Sequence, residues 1–217
     1  MKICEMLKKK DVGAIGIGAM IVFIAMVLVA GIAASVLIQT SGKLEMQAMK
    51  SGQETIAEVA TGIAVEKIEG WNNSGYVYLM AIEVRPRAGS ADIDLSEAVV
   101  EISDSSTKNL FTYNTTRFTE SSGINGDLLD WDFFPVDNGT TFCVTVLEDA
   151  DESCSSTNPV INSGDHVILG VNVSYAFSPG FSTRTDVIGQ VIPEEGSSGV
   201  ISFTTPAAYN DAVLELQ

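Results

Sequence analysis

The chain has 217 residues, 46% of them hydrophobic, and a formal net charge of −16. So acidic a surface is a poor partner for nucleic acid, which rewards basic patches. The length allows one long helix and one domain of ordinary size.

The first 13 residues carry four lysines (Lys2, Lys8, Lys9, Lys10) against Glu5 and Asp11, a net of +2, so the other 204 carry −18. From Val12 to Gly42 there is no charged residue, and the first charge after Asp11 is Lys43. An apolar run that long can cross a hydrocarbon core of about 30 Å, which takes roughly 20 helical residues. Lysines on its N-terminal side keep that end cytoplasmic, so everything after residue 42 is placed outside. An ordinary secretory signal has its small-residue cleavage site after the apolar run. Here the small residue, Gly13, precedes it. That order marks a prepilin-like (class III) leader, cut between Gly13 and Ala14, which leaves the apolar helix on the mature chain.

Residues 14 to about 66 read as one helix, some 75 Å long for fifty residues. Its first half is apolar all round and must be buried in lipid or protein. Its second half has Met49, Gly52, Ile56, Val59 and Ile63 at alternating spacings of three and four, a coiled-coil-like seam. Glycines at 16, 18, 31, 42, 52 and 62 fit close helix approach, and equally fit the glycines that membrane spans tolerate.

Past Gly70-Trp71-Asn72-Asn73-Ser74-Gly75 the pattern changes to period two. Strands are predicted at 76–84, 98–102, 109–113, 140–147, 166–176, 185–192 and 200–204, separated by turn residues such as Asn125-Gly126-Asp127, Asn138-Gly139 and Ser178-Pro179-Gly180. The fold class is therefore α+β: a long hydrophobic helix followed, over 71–217, by an antiparallel, Ig-like sandwich or barrel.

The N-terminal run Ala14-Ile15-Gly16-Ile17-Gly18, the apolar stretch Ile21–Ala30, Ala33–Gly42, Ser51-Gly52-Gln53-Glu54-Thr55 and Val59–Ile63 resemble an archaellin, the archaeal flagellin. Arg85-Pro86-Arg87-Ala88-Gly89-Ser90, Ile93-Asp94-Leu95 and Phe203-Thr204-Thr205-Pro206 support the likeness. It is dense over residues 1–65 and patchy beyond. It implies a subunit of the swimming filament, extracellular when assembled and membrane-inserted as precursor. Implied partners are copies of itself or paralogous archaellins, a prepilin-type leader peptidase, and an assembly platform with its motor. The alternative is an adhesive pilin of the same superfamily. Many bacterial pilins carry glutamate five places after the cut; here that residue is Gly18. A membrane-anchored binding or enzymatic domain leaves the leader junction and the seam unexplained.

Candidate chemistry is sparse. The single histidine, His166, has no nucleophile motif nearby, and no metalloprotease or phosphate-loop motif is present, so no catalysis is expected. Cys4 leaves with the leader. Cys143 and Cys154 remain as an extracellular pair, read as a disulfide, with two free buried thiols as the other reading. Sequons place N-glycans at Asn72, Asn114, Asn138 and Asn172. Acidic clusters stand at Asp127, Asp130, Asp132 and Asp137, and at Glu148, Asp149, Asp151 and Glu152. A solvated acidic loop explains them, and so does the structural calcium ion that the resemblance keeps open.

Overall fold

The computed structural model describes residues 2–120, 129, 134–135 and 139–217, with side chains in the first helix from residue 15 onward. Two compact units divide the chain, Met1–Glu54 and Thr55–Gln217. The first unit is helical. Its helix, α1, runs Lys2–Ala60, 59 residues, and so extends into the second unit. Polar side chains in its apolar part are satisfied locally: the Thr40 hydroxyl donates to the Val36 and Leu37 carbonyls, and Gln39 Nε2 donates to Ser35 Oγ. A backbone that bonds only to itself suits a medium that offers no partners.

The sequence pattern predicts this helix to about residue 66, whereas in the structure it ends at Ala60. Residues 63–73 form a strand instead, β1 (Ile63–Asn73). The cause is local. A side chain at Gly62 would meet Ser197 Oγ at 2.1 Å, and the backbone there is bound in trans, with Ser197 N donating to Thr61 O and Ile63 N to Ser197 O. Ile63 and Ile68 are fully buried as strand residues.

From β1 a two-residue turn, Ser74-Gly75, with φ of 55° and 85°, leads into β2 (Tyr76–Pro86). Positive φ at both positions matches the tight hairpin turn whose twist suits paired strands. The other strands are β3 (Ile93–Asp94), β4 (Val99–Ser103), β5 (Lys108–Glu120), β6 (Thr141–Glu148), β7 (Val160–Ile161), β8 (His166–Asn172), β9 (Asp186–Ile192), β10 (Gly199–Thr204) and β11 (Val213–Glu215). All seven predicted strands exist. The one predicted to reach 176 stops at Asn172, where a helical turn, α2 (Val173–Ala176), takes over.

Nine strands make one sheet in the order β10-β9-β4-β5-β6-β8-β2-β1-β11, while β3 and β7 pair separately. Every pairing is antiparallel except β5 with β6. A parallel pair needs a long connection, and β5 and β6 are separated by twenty residues of sequence. The sheet curls until β10 approaches β1: a side chain at Gly199 would lie 2.9 Å from Val65 Cγ2.

Curling gives the sheet an inside. There, Ile68, Val77, Met80, Ile82, Val100, Phe111, Phe142, Leu169 and Val191 form one continuous core, all fully buried. The opposite face of β2, β6 and β8 has its own cover, with Leu129 and Phe134 from the β5–β6 connection packed on Leu79, Ala81 and Ile168. Burying each large aliphatic is worth about 1.5–3 kcal/mol, so β1, which contributes Ile63 and Ile68 and hydrogen-bonds both β2 and β11, is integral to the domain. A fragment of residues 55–217 is expected to be monomeric and β-rich by circular dichroism and sedimentation. A fragment of 71–217, without most of β1, is expected to aggregate or unfold at lower temperature. Equal stability of the two fragments would contradict the placement of β1.

Candidate assembly helix and cation-binding loops

Functional surfaces occur in both units, and each is described within its own. In the helical unit the apolar side chains described, from Ile15 onward, are exposed. Phe23 is 67% exposed, Val27 56% and Ile38 73%. Among the described residues α1 is the one helix long and apolar enough, by length and composition, to cross a membrane. A Cβ added at Gly16, Gly18, Gly31, Gly42 or Gly52 would meet nothing within 4 Å, so nothing among the described residues explains those glycines. Lys50 and Glu54 pair at 3.5 Å on the exposed surface, a contact of a few tenths of a kcal/mol. Gly13 and Ala14 lie within α1. Of the seam read at 49–63, Met49, Ile56 and Val59 are exposed on the helix, whereas Ile63 has passed into the β core.

In the β unit, the loop from Asp149 to Asp165 gathers carboxylates. Oxygens of Asp149, Asp151 and Asp165 lie within 4.8 Å of one another. The loop is tied down. Cys154 N donates to Asp149 Oδ2 (2.9 Å), Asn162 Nδ2 to Asp151 Oδ2 (2.7 Å), and Asn162 N to Asp165 Oδ2 (2.8 Å). Asp165 is buried, and burial raises its pKa, reinforced by the charges of Asp149 and Asp151. The side-chain hydrogen bond from Asn162 lowers that of Asp151. Three hard oxygen donors, one of them desolvated, fit a calcium ion better than a transition metal. Of the sequence cluster Glu148, Asp149, Asp151 and Glu152, only Asp149 and Asp151 belong to this group. Glu148 and Glu152 are exposed, and Asp165 joins Asp149 and Asp151 from across the loop. Asp127, Asp130, Asp132 and Asp137 lie outside the described residues.

The expected Cys143–Cys154 disulfide is absent; both are free, buried thiols. Register explains it. Cys143 faces Gly170 opposite it on β8 and donates to the Gly170 carbonyl at 3.4 Å, on the face that Phe134 covers. Cys154 belongs to the core on the other face. A sheet stands between the two sulfurs. Burial pushes both thiols up to about 12.

Of the sequons, Asn114 sits on β5 half-exposed, its Oδ1 accepting from Thr116 N and Thr116 Oγ1. Asn72 is half-buried, its Nδ2 donating to Asp211 O at 3.2 Å. Asn172 contradicts the reading of it as a glycan site. It is 1% exposed, its Nδ2 donates to Pro135 O at 2.9 Å, and its Oδ1 accepts from Ser174 Oγ. No sugar fits there in the folded domain. Asn138 lies outside the described residues.

His166 meets two carboxylates that sequence reasoning did not connect with it. Its Nδ1 is 3.6 Å from Glu66 Oε2 and 3.7 Å from Glu83 Oε1.

The description "Archaeal-type flagellin" belongs to the family model that matches residues 13–203. The chain belongs to that family. Flagellin B2 of Methanocaldococcus jannaschii is 44% identical over the full length of both chains, and flagellin B1 of Methanococcus voltae 40%, again over both full lengths. The crystal structure of archaeal flagellin FlaB1 from M. jannaschii matches with a TM-score of 0.66 and 33% identity, covering 73% of this chain and 98% of that one. A chain of the archaeal flagellum of Methanospirillum hungatei shares the fold, with a TM-score of 0.64 over 92% of this chain at 15% identity. The long helix and curled, mostly antiparallel sheet are thus the architecture of archaeal flagellins.

Because both flagellin thiols are buried in the protonated form, alkylation at neutral pH is expected only after denaturation, and the intact mass is expected to be the same with and without reductant. A reductant-dependent gain of 2 Da, the mass of two hydrogens, would restore the disulfide.

Proposed function

We infer that this flagellin is a structural subunit of the archaeal swimming filament and that it polymerises through α1. The observation that carries this is the unburied apolar surface of residues 15–38. Leaving that surface in water would cost on the order of tens of kcal/mol at about 25 cal/mol per Å². Lipid satisfies it before assembly, and the same helix of neighbouring subunits satisfies it afterwards. The open space around the helix glycines suits close approach of such neighbours. The adhesive-pilus reading has no observation in its favour. The chain works by packing, and no catalytic arrangement is needed for it. Val27→Glu is expected to abolish filaments and motility while the precursor still accumulates, because a carboxylate in a dry helix bundle has no partner. Swimming cells with that substitution would refute the assignment.

Maturation is proposed to follow the leader logic: a prepilin-type peptidase cuts between Gly13 and Ala14, and the archaellum platform and motor take up the product from the membrane into an extracellular filament. Glycan is proposed at Asn114, where the half-exposed sequon supports it, and not at Asn172. Peptide mapping of native filaments by mass spectrometry is expected to begin at Ala14 and to find sugar at Asn114 but a bare Asn172. An intact Met1 in assembled filaments would sink the processing scheme.

Asp149, Asp151 and Asp165 are proposed to hold a structural calcium ion, which would neutralise their mutual repulsion. Asp165 supplies the sign of a test. Its carboxyl is raised in the folded state, so without cation its ionised form opposes folding, and what it contributes to stability is lost as pH rises through its folded pKa. In chelator at neutral pH, Asp165→Asn is therefore expected to melt higher than wild type. With calcium the order is expected to reverse, since a ligand at a hundred times its Kd adds about 2.7 kcal/mol. A wild-type melting temperature indifferent to calcium would remove the site.

A further inference from the structure

A second cluster owes nothing to that loop. Glu66, Glu83 and His166 come from three adjacent strands, β1, β2 and β8, and offer ligand atoms that all lie within 4.8 Å of one another. Sequence separation hides them, and strand pairing assembles them. Along β1, Val65 pairs with Val84 and Lys67 with Glu83, so Glu66 is the extra residue of a β-bulge. A bulge re-aims a side chain out of the alternation, and this one brings Glu66 beside Glu83 and His166.

The spacings discriminate between two chemistries. A hydrogen-bonded ion pair between an imidazolium and a carboxylate places N and O about 2.7–2.9 Å apart. Here His166 Nδ1 stands 3.6 Å and 3.7 Å from one oxygen of each glutamate, too far for a good hydrogen bond to either. Two ligands with bonds of about 2.0–2.1 Å to a tetrahedral zinc ion stand roughly 3.4 Å apart. The observed spacings lie near that edge length. Arg85 Nε takes the other oxygen, Glu66 Oε1, and leaves Oε2 turned to the imidazole. An outer partner that orients a ligating carboxylate is usual around metals. The three side chains are 28–31% exposed, so an ion can enter and water can fill a fourth position.

We propose that Glu66, Glu83 and His166 form a binding site for a borderline transition-metal cation of the zinc type, fastening β1 to β2 and β8. Mixed imidazole and carboxylate donors select such ions over calcium, so this site and the Asp149 loop differ in the metal they take. The proposal is independent of how the filament assembles.

The test uses the full chain in detergent, stripped with chelator and then titrated with Zn2+. Calorimetry is expected to show saturable binding that survives Asp151→Asn and weakens at least roughly tenfold in both His166→Gln and Glu83→Gln, since even the loss of an outer partner costs 10–100-fold. One readout needs no variant: His166 is the only histidine in the chain, so the imidazole 15N signals of wild type report ligation directly, and Zn2+ is expected to shift Nδ1. No saturable binding, an unmoved imidazole signal, or binding that Asp151→Asn removes and His166→Gln spares would each overturn the proposal. In those cases His166 only lies between two carboxylates.

Discussion

The rest of this molecule depends on one surface that the chain cannot bury by itself. Side chains from Ile15 to Ile38 cover every side of α1, and in the single chain they stay open. Such a helix has two tolerable environments, lipid and other copies of itself. Its neutral, self-bonded backbone is compatible with both, because neither offers hydrogen bonds. In the proposed order of events, the basic leader holds the N-terminus inside, the helix waits in the membrane, and removal of the leader leaves an apolar N-terminal segment that can enter a bundle.

The β unit solves the opposite problem. It must stay folded and soluble while held at high local concentration in a polymer. It carries a net charge of −18, since residues 1–13 are +2 and residues 14–54 are neutral overall, which makes a repulsive and well-solvated exterior. Most of its described apolar side chains are buried inside the curl of the sheet or under Leu129 and Phe134, which pack on Leu79, Ala81 and Ile168. Its exposed apolar side chains, such as Leu110, Ile188 and Val200, are single residues rather than a continuous all-round surface like that of α1. β1 follows the helix in sequence and is locked into the sheet on both edges. The metal site proposed at its bulge would add a third fastening to β2 and β8.

What could be read from the sequence was what local chemistry dictates. The uncharged run and its lysine-rich head are one-dimensional signals, and so is the period-two pattern that placed the strands at 76–84 and 185–192. The helix end failed because Ala64-Val65-Glu66-Lys67-Ile68-Glu69 keeps a passable helical pattern. Contacts from Ser197, more than a hundred residues later, make it a strand. The short strands β3, β7 and β11 carry too few residues for a pattern. The parallel β5–β6 pair and the curl are long-range facts with no local signature. The cysteine pair misled for a related reason: nearness in sequence suggested a bridge, and only the register shows that Cys143 and Cys154 occupy opposite faces. Asp165 and the Glu66–Glu83–His166 group were invisible for the same cause, since their members meet only once the strands have paired.

The central claim is that the exposed helix of the single chain becomes the dry interior of the polymer. Water-edited solid-state NMR on uniformly labelled native filaments measures this directly, by following magnetisation passed from water to methyl groups. Slow, weak transfer is expected to the methyls of Ile21, Val27 and Leu37, and rapid transfer to Ile188 and Val200, which are exposed on the β unit. Transfer to the helix methyls as fast as to Ile188 would mean that water reaches α1 in the filament and would contradict a dry helical core.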